Sequence, residues 1–205
     1  MSDTGWQALL ESLGRGAPIL LQPVAGGCIA DARVAEFADG SSVFIKTAAA
    51  AAGDMFLREA EGLRALASAR AIRVPSVITA SPEALVLERI LEAPRAPDFF
   101  AQFGRRFAGL HAFRGESCGF PHDNYIGRTA QINTCLGFGE AGSEWPDFFM
   151  VRRLRFQVDL AAERGFGADL QHMLDRAEPV MRELLMATPE EPSLLHGDLW
   201  SGNFL

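Results

Sequence analysis

The sequence predicts an α+β fold in two parts: a small antiparallel sheet with one packed helix over residues 1–90, then a mostly helical region over residues 91–205. Three features carry the prediction. β-rich runs flank a turn signal within the first fifty residues. A proline-bearing stretch with Pro94 and Pro97 interrupts the pattern after Ile90. Beyond it, apolar residues recur at helical spacing.

The elements follow in order. Trp6, Leu9, Leu10 and Leu13 share one face of a short helix that stops before Gly14. Runs 28–37 and 42–46 surround Ala38-Asp39-Gly40 and read as a hairpin, with Gly26-Gly27 just ahead of its first strand. Residues 48–52 are all alanine. Asp54 is placed to cap the next helix, whose face carries Phe56, Ala60, Leu63 and Leu66. Runs 77–79 and 85–90 are strands separated by the turn Ser81-Pro82-Glu83. After the prolines, Asp98 is the expected N-cap of a helix with the stripe Phe99, Phe103, Phe107 and Leu110. Residues 115–142 read as glycine-rich loop. Pro146 fits the first turn of a helix continued by Phe149, Leu154, Val158 and Ala161. A final helix spans about 168–185, and Pro179 is expected to kink or split it.

The 205-residue chain is 48% hydrophobic and 22% charged, an ordinary globular balance. Its net charge of −7 repels phosphate backbones, so nucleic acid is not an expected partner. A single nucleotide can still bind through a few donors and a metal. No stretch reaches the roughly 18 apolar residues of a membrane span, and the first residues lack a signal-peptide pattern. The three cysteines, Cys28, Cys118 and Cys135, are too scattered for a disulfide framework or zinc cage, which points to a reducing cytoplasm. His111, His122 and His172 have no ligand-like spacing to one another.

Chemistry concentrates at the end of the chain. His196-Gly197-Asp198 is followed, after four residues, by Asn203. Phosphoryl transfer to a hydroxyl needs a carboxylate beside the nucleophilic oxygen and an oxygen ligand for magnesium nearby on the same loop. Asp198 and Asn203 are those residue types at that spacing, with His196 holding the loop. By itself the string is also compatible with a polar turn.

The first half supplies a matching context. Val43-Phe44-Ile45-Lys46 ends a strand with a lysine that can reach nucleotide phosphates. Glu59, on the following helix, can pair with it. Alone, Lys46 is a surface lysine, and Glu59 or Glu61 a solvated helix face; their order before His-Gly-Asp raises them. Gly26, Gly27 and Cys28 open the hairpin where backbone amides can face a phosphate. Glu88 and Ile90, at the end of a strand entering the proline-bearing linker, stand where backbone groups would meet adenine. Trp200 can stack on a sugar or simply pack. Asp123 and Asn124 can touch substrate or cap their loop.

The strings Gly26-Gly27-Cys28-Ile29, Trp145-Pro146-Asp147-Phe148-Phe149, 119–127 (GFPHDNYIG) and 194–203 (LLHGDLWSGN) resemble the fructosamine/ketosamine-3-kinase family. That family belongs to the aminoglycoside-phosphotransferase-like branch of the protein-kinase-like fold. The resemblance implies ATP-dependent, magnesium-assisted phosphorylation of a sugar hydroxyl on a small-molecule or protein-bound ketosamine, and so deglycation. It implies Asp198 as catalytic aspartate, Asn203 as metal ligand, Lys46 and Glu59 as the nucleotide-positioning pair, and Cys28 as a glycine-loop cysteine that is redox-sensitive in some members. Kinases of other small alcohols, such as aminoglycosides, choline or homoserine, share the final motif and are the rival enzymes. A non-catalytic nucleotide-binding module is the rival of another class.

The resemblance also implies a further aspartate beyond the loop to complete the metal site, and none follows Asn203. The expectation is a piece of a longer kinase or a shortened inactive one, with residues 1–205 transferring phosphate poorly by themselves. Apolar faces on helices 99–110 and 168–185 are then expected to be open and to favour self-association.

Overall fold

Alternating apolar residues in the first half build a five-stranded antiparallel sheet in the order β1-β2-β3-β5-β4. The strands are β1 (Leu20–Val24), β2 (Asp31–Glu36), β3 (Ser42–Thr47), β4 (Val77–Ala80) and β5 (Ala84–Glu88). This computed structural model describes residues 4–24, 30–48, 53–134, 145–188, 191–200 and 202–204. Contacts divide the chain into two units, Met1–Leu110 with Leu195–Leu205, and His111–Leu194.

In the first unit, the period of two along β3 decides which side chain meets which helix. Val43 and Ile45 lie on the face covered by α1 (Thr4–Glu11), where Leu10 packs with Ala35, Phe37 and Val86, rimmed by Trp6, Leu9 and Leu13. Phe44 belongs to the opposite face. There α2 (Met55–Ser68) seats Phe56 and Ala60 on Leu85 and Leu87, with Leu63 and Val77 at the edge. Burying side chains of this size stabilises the fold by about 1.5–3 kcal/mol each. β5 lies between β3 and β4, and Ala84, Leu85, Val86 and Leu87 are all buried.

In this unit three details depart from the sequence reading. β1 is an additional edge strand, paired with β2 from Leu20↔Glu36 to Val24↔Ala32. Pro23 lies within it, as an edge position permits. Asp54 precedes α2 but makes no side-chain cap; its carboxylate takes the Arg58 Nε–H at 2.6 Å. The Asp98 carboxylate, ahead of α3 (Phe99–His111), receives the Gln102 side-chain amide at 2.7 Å. The aromatic stripe of α3 is present: Phe99, Phe103 and Phe107 stack in succession at 6.0 and 5.9 Å between centroids.

The second unit joins a two-stranded hairpin to a helical pair. Its hairpin, β6 (Asn124–Ile126) with β7 (Thr129–Gln131), lies inside the stretch expected to be loop. Residues 135–144, which take in the end of that stretch and Cys135, fall outside the described residues. The next helix begins as expected at Trp145 with Pro146 in its first turn, but it is not uniform. An α-turn, α4 (Trp145–Phe148), gives way to a π-helical segment, Phe149–Arg155, before α5 (Phe156–Glu163). α6 (Gly167–Ala187) is one helix that includes Pro179, so the expected split does not occur.

Ion pairs fasten these helices together. Arg155 donates to Asp175 at 3.1 Å and Glu178 at 2.5 Å; Arg182 donates to Glu178 at 2.8 Å and also pairs with Asp147. The arginines hold the Glu178 carboxyl below its ordinary range, Arg182 most strongly. Along α6, Leu170, Met173, Val180 and Leu184 are exposed, while on α3 the exposed ring is Phe100.

Candidate functional site

Lys46 follows Phe44 by two residues in β3, so it shares the α2 side of the sheet. Glu59 precedes the buried Ala60 on α2. Lys46 Nζ donates to Glu59 Oε1 at 2.6 Å, with the side chains 33% and 32% exposed. Glu61 is engaged differently, accepting from Arg58 Nη1 at 2.7 Å. Of the two glutamates weighed from sequence, the structure therefore brings Glu59 to Lys46.

The His-Gly-Asp loop belongs to the same unit as Lys46. Gly197 sits at φ +82°, a left-handed conformation that a side chain would strain. That bend lets the Asp198 N–H face His196 Nδ1, at 3.4 Å. Asn203 closes the loop. Its Nδ2 donates to the Asp198 carbonyl at 2.7 Å and to Asp198 Oδ2 at 3.0 Å. With the amide nitrogen turned to Asp198, Oδ1 is the Asn203 oxygen that takes no part in these two bonds. The Asp198 carboxylate and the Asn203 amide oxygen are both hard oxygen donors, of the kind that could hold magnesium.

Trp200 is 58% exposed, and its indole lies over Gly202. A Cβ on Gly202 would stand 2.5 Å from the ring, so this placement requires glycine.

Not every predicted residue joins these two clusters. Glu88 sits at the end of β5, where its carboxylate takes Arg73 Nη2 at 2.6 Å and the Ser76 N–H at 3.1 Å. The Ser76 N–H, and then Arg73, hold the Glu88 carboxyl below its ordinary range. Its own N–H goes to the Ser76 carbonyl at 2.9 Å. Ile90 follows, half-buried, after the strand has ended. Gly26, Gly27 and Cys28 lie outside the described residues.

Asp123 and Asn124 turn inward within the second unit. Asp123 Oδ1 accepts the N–H groups of Asn133 and Thr134 at 2.7 and 3.0 Å, and Asn124 Oδ1 accepts from Asn133 Nδ2 at 2.7 Å. These contacts cap the loop. Sequence reasoning missed Phe204, whose ring packs against Phe103 at 4.8 Å between centroids. An apolar residue directly after the motif asparagine was its only signal.

A sheet lysine paired to a helix glutamate, in one unit with a His-Gly-Asp loop closed by asparagine, defines a kinase-like α+β protein. The family model for fructosamine kinase matches residues 1–205, and the chain belongs to that family. It is 34% identical over 193 residues to a chloroplastic protein-ribulosamine 3-kinase of Oryza sativa subsp. japonica, covering 88% of this chain and 52% of that protein. It is also 34% identical over 214 residues to a provisionally named ketoamine kinase of Synechocystis sp., covering 98% of this chain and 68% of that one. A solved structure from Thermobifida fusca YX-ER1, provisionally designated a fructosamine-3-kinase, superposes with a TM-score of 0.83 at 28% identity. That match covers 98% of this chain and 69% of the other. The chain thus spans about half the length of the plant relative and about two thirds of the bacterial ones. No helix among the described residues is long and apolar enough to cross a membrane.

Proposed function

We propose that this chain carries the nucleotide-positioning and hydroxyl-activating residues of an ATP-dependent ketosamine kinase. The observation that carries the reading is the Asp198–Asn203 contact in the same unit as the Lys46–Glu59 pair. In this reading the Lys46 ammonium, held by Glu59, meets the phosphates of ATP. Asp198 orients a sugar hydroxyl and takes its proton as the oxygen attacks the γ-phosphorus and ADP leaves. Asn203 Oδ1 is the magnesium ligand, and the metal, when bound, neutralises charge on the phosphates.

The family resemblance assigns Gly26, Gly27 and Cys28 to phosphate binding, and gives the adenine side to the Glu88 carbonyl and the Ile90 backbone. The exposed Trp200 offers a stacking face to the sugar. Roles divide near residue 90, between a nucleotide-binding lobe over 1–90 and a helical lobe over 91–205. The names of the plant relatives point to a ribulosamine as the first substrate to try. The net charge of −7 disfavours nucleic acid, and the scattered cysteines suit a reducing cytoplasm.

A panel of ribulosamine, fructosamine and aminoglycoside acceptors, assayed for ADP release with magnesium, tests the reading. Asp198→Asn should lower turnover by about 10²–10⁴-fold, the usual contribution of a positioned base. Because Asp198 is exposed, the melting temperature should hardly move. Transfer to the aminoglycoside alone would replace the ketosamine assignment, and turnover unchanged in Asp198→Asn would end the catalytic one.

A further inference from the structure

Phe204 is the residue after Asn203, and it ties the loop to the start of α3. Its ring packs on Phe103 at 4.8 Å and on Phe99 at 6.3 Å, nearly parallel to the latter at 18°. Arg95, from the proline-bearing linker, lays its guanidinium over three rings: Phe99 at 5.1 Å, Phe204 at 5.5 Å and Phe100 at 5.6 Å. Phe103 in turn stacks on Phe99 and Phe107. Among the described residues the loop's own hydrogen bonds are local: the Asp198 N–H to His196, the Asn203 N–H to the Trp200 carbonyl, and the Asn203 amide to Asp198. Those bonds set the shape of the loop. They do not set its position on the unit, and Phe204 makes a contact of the kind that does.

We infer that Phe204 is a positioning residue for Asp198 and Asn203, anchored by the Arg95–Phe99–Phe103 aromatic cluster. Its effect passes through the backbone to Asn203 and from there through the amide to Asp198. A side chain one bond further from the chemistry can matter this way, because displacement of a reacting group by about 1 Å can cost up to 10²-fold in rate. Aromatic stacking adds direction to apolar burial, so a ring should serve here better than an aliphatic side chain of similar bulk. Arg95 adds a cation over the ring faces, which holds the cluster together from the solvent side.

The kinetic part rests on the phosphotransferase reading above; the placement of the loop does not. The test compares Phe204→Ala, Phe204→Leu and Phe204→Tyr in the 205-residue chain with Phe37→Leu. Phe37 is buried under α1 in the same unit, and it reports stability loss alone. Amide exchange over residues 196–203 should quicken in Phe204→Ala, less in Phe204→Leu, and stay near wild type in Phe204→Tyr and Phe37→Leu. In the kinase assay, kcat should fall about tenfold or more in Phe204→Ala with the ATP KM within about twofold, and Phe204→Tyr should recover it.

Exchange that is equal in Phe204→Ala and Phe37→Leu would overturn the proposal. So would a kcat loss that tracks melting temperature across both. If the wild-type chain binds no ATP analogue in magnesium, the functional reading falls. The exchange comparison still decides whether Phe204 holds the loop.

Discussion

Replacing Lys46 with methionine, Glu59 with glutamine, and both together separates a structural ion pair from one that aims an ammonium. The pair is short, 2.6 Å, yet each side chain is about a third exposed, at 33% and 32%. At that exposure water and salt screen the attraction, and such a pair contributes about 1 kcal/mol or less to stability. The melting temperature of either single variant should therefore fall by no more than about 2–4 °C. The same 1 kcal/mol corresponds to about a fivefold change in the fraction of lysine held in its paired position. Glu59→Gln should weaken ATP binding by roughly that factor, read by displacement of a fluorescent ATP analogue in magnesium. Lys46→Met should weaken it more, since the ammonium itself is gone. The double variant should be no worse than Lys46→Met, because the glutamate acts on nucleotide only through the lysine. If the two losses simply add, Glu59 does not work through Lys46 and the positioning argument fails.

Other outcomes follow from the same geometry. Phe56→Ala removes a fully buried ring between α2 and β5 and should cost about 3–5 kcal/mol in urea denaturation, far more than the ion pair. Glu88 has its carboxyl held low by the Ser76 N–H and Arg73. Its contribution is therefore present above the usual glutamate range of about 4.3 and lost as pH falls through the lowered folded value. Glu88→Gln should lower stability at neutral pH and flatten the acid side of the stability profile below about pH 4.3. Chemical denaturation at a series of pH values checks this, and an unchanged acid limb would remove Glu88 from the account.

How far the sequence could be read depended on how local each signal was. Val43-Phe44-Ile45 announces the strand that ends at Lys46, while Glu59 was singled out by the order of elements and the family resemblance, and the period of two explains why the pair meets on the α2 side. The stripes on α1, α2 and α3 were legible for the same reason. β1 was not: Leu20-Leu21-Gln22-Pro23-Val24 has no alternation because all five residues are exposed at the sheet edge. β6 and β7 are three residues each, too short to show a period. The Glu88–Arg73 pair and the packing of Phe204 on Phe99 join residues far apart in the chain, and no local pattern reports them. Phe149, Leu154 and Val158 looked like an ordinary amphipathic helix because apolar spacing tolerates one wide turn.

That wide stretch constrains how the chain can change length. Asp147 ahead of the π-helical segment and Arg155 at its end both reach α6, one to Arg182 and the other to Asp175 and Glu178. Dropping a single residue between them would rotate everything downstream by about 100° against everything upstream. One of the two attachments would swing off α6. A relative one residue shorter at this place would trade an anchor for a regular helix, so a gap here would mark a change of rotational phase, unlike one in an exposed turn.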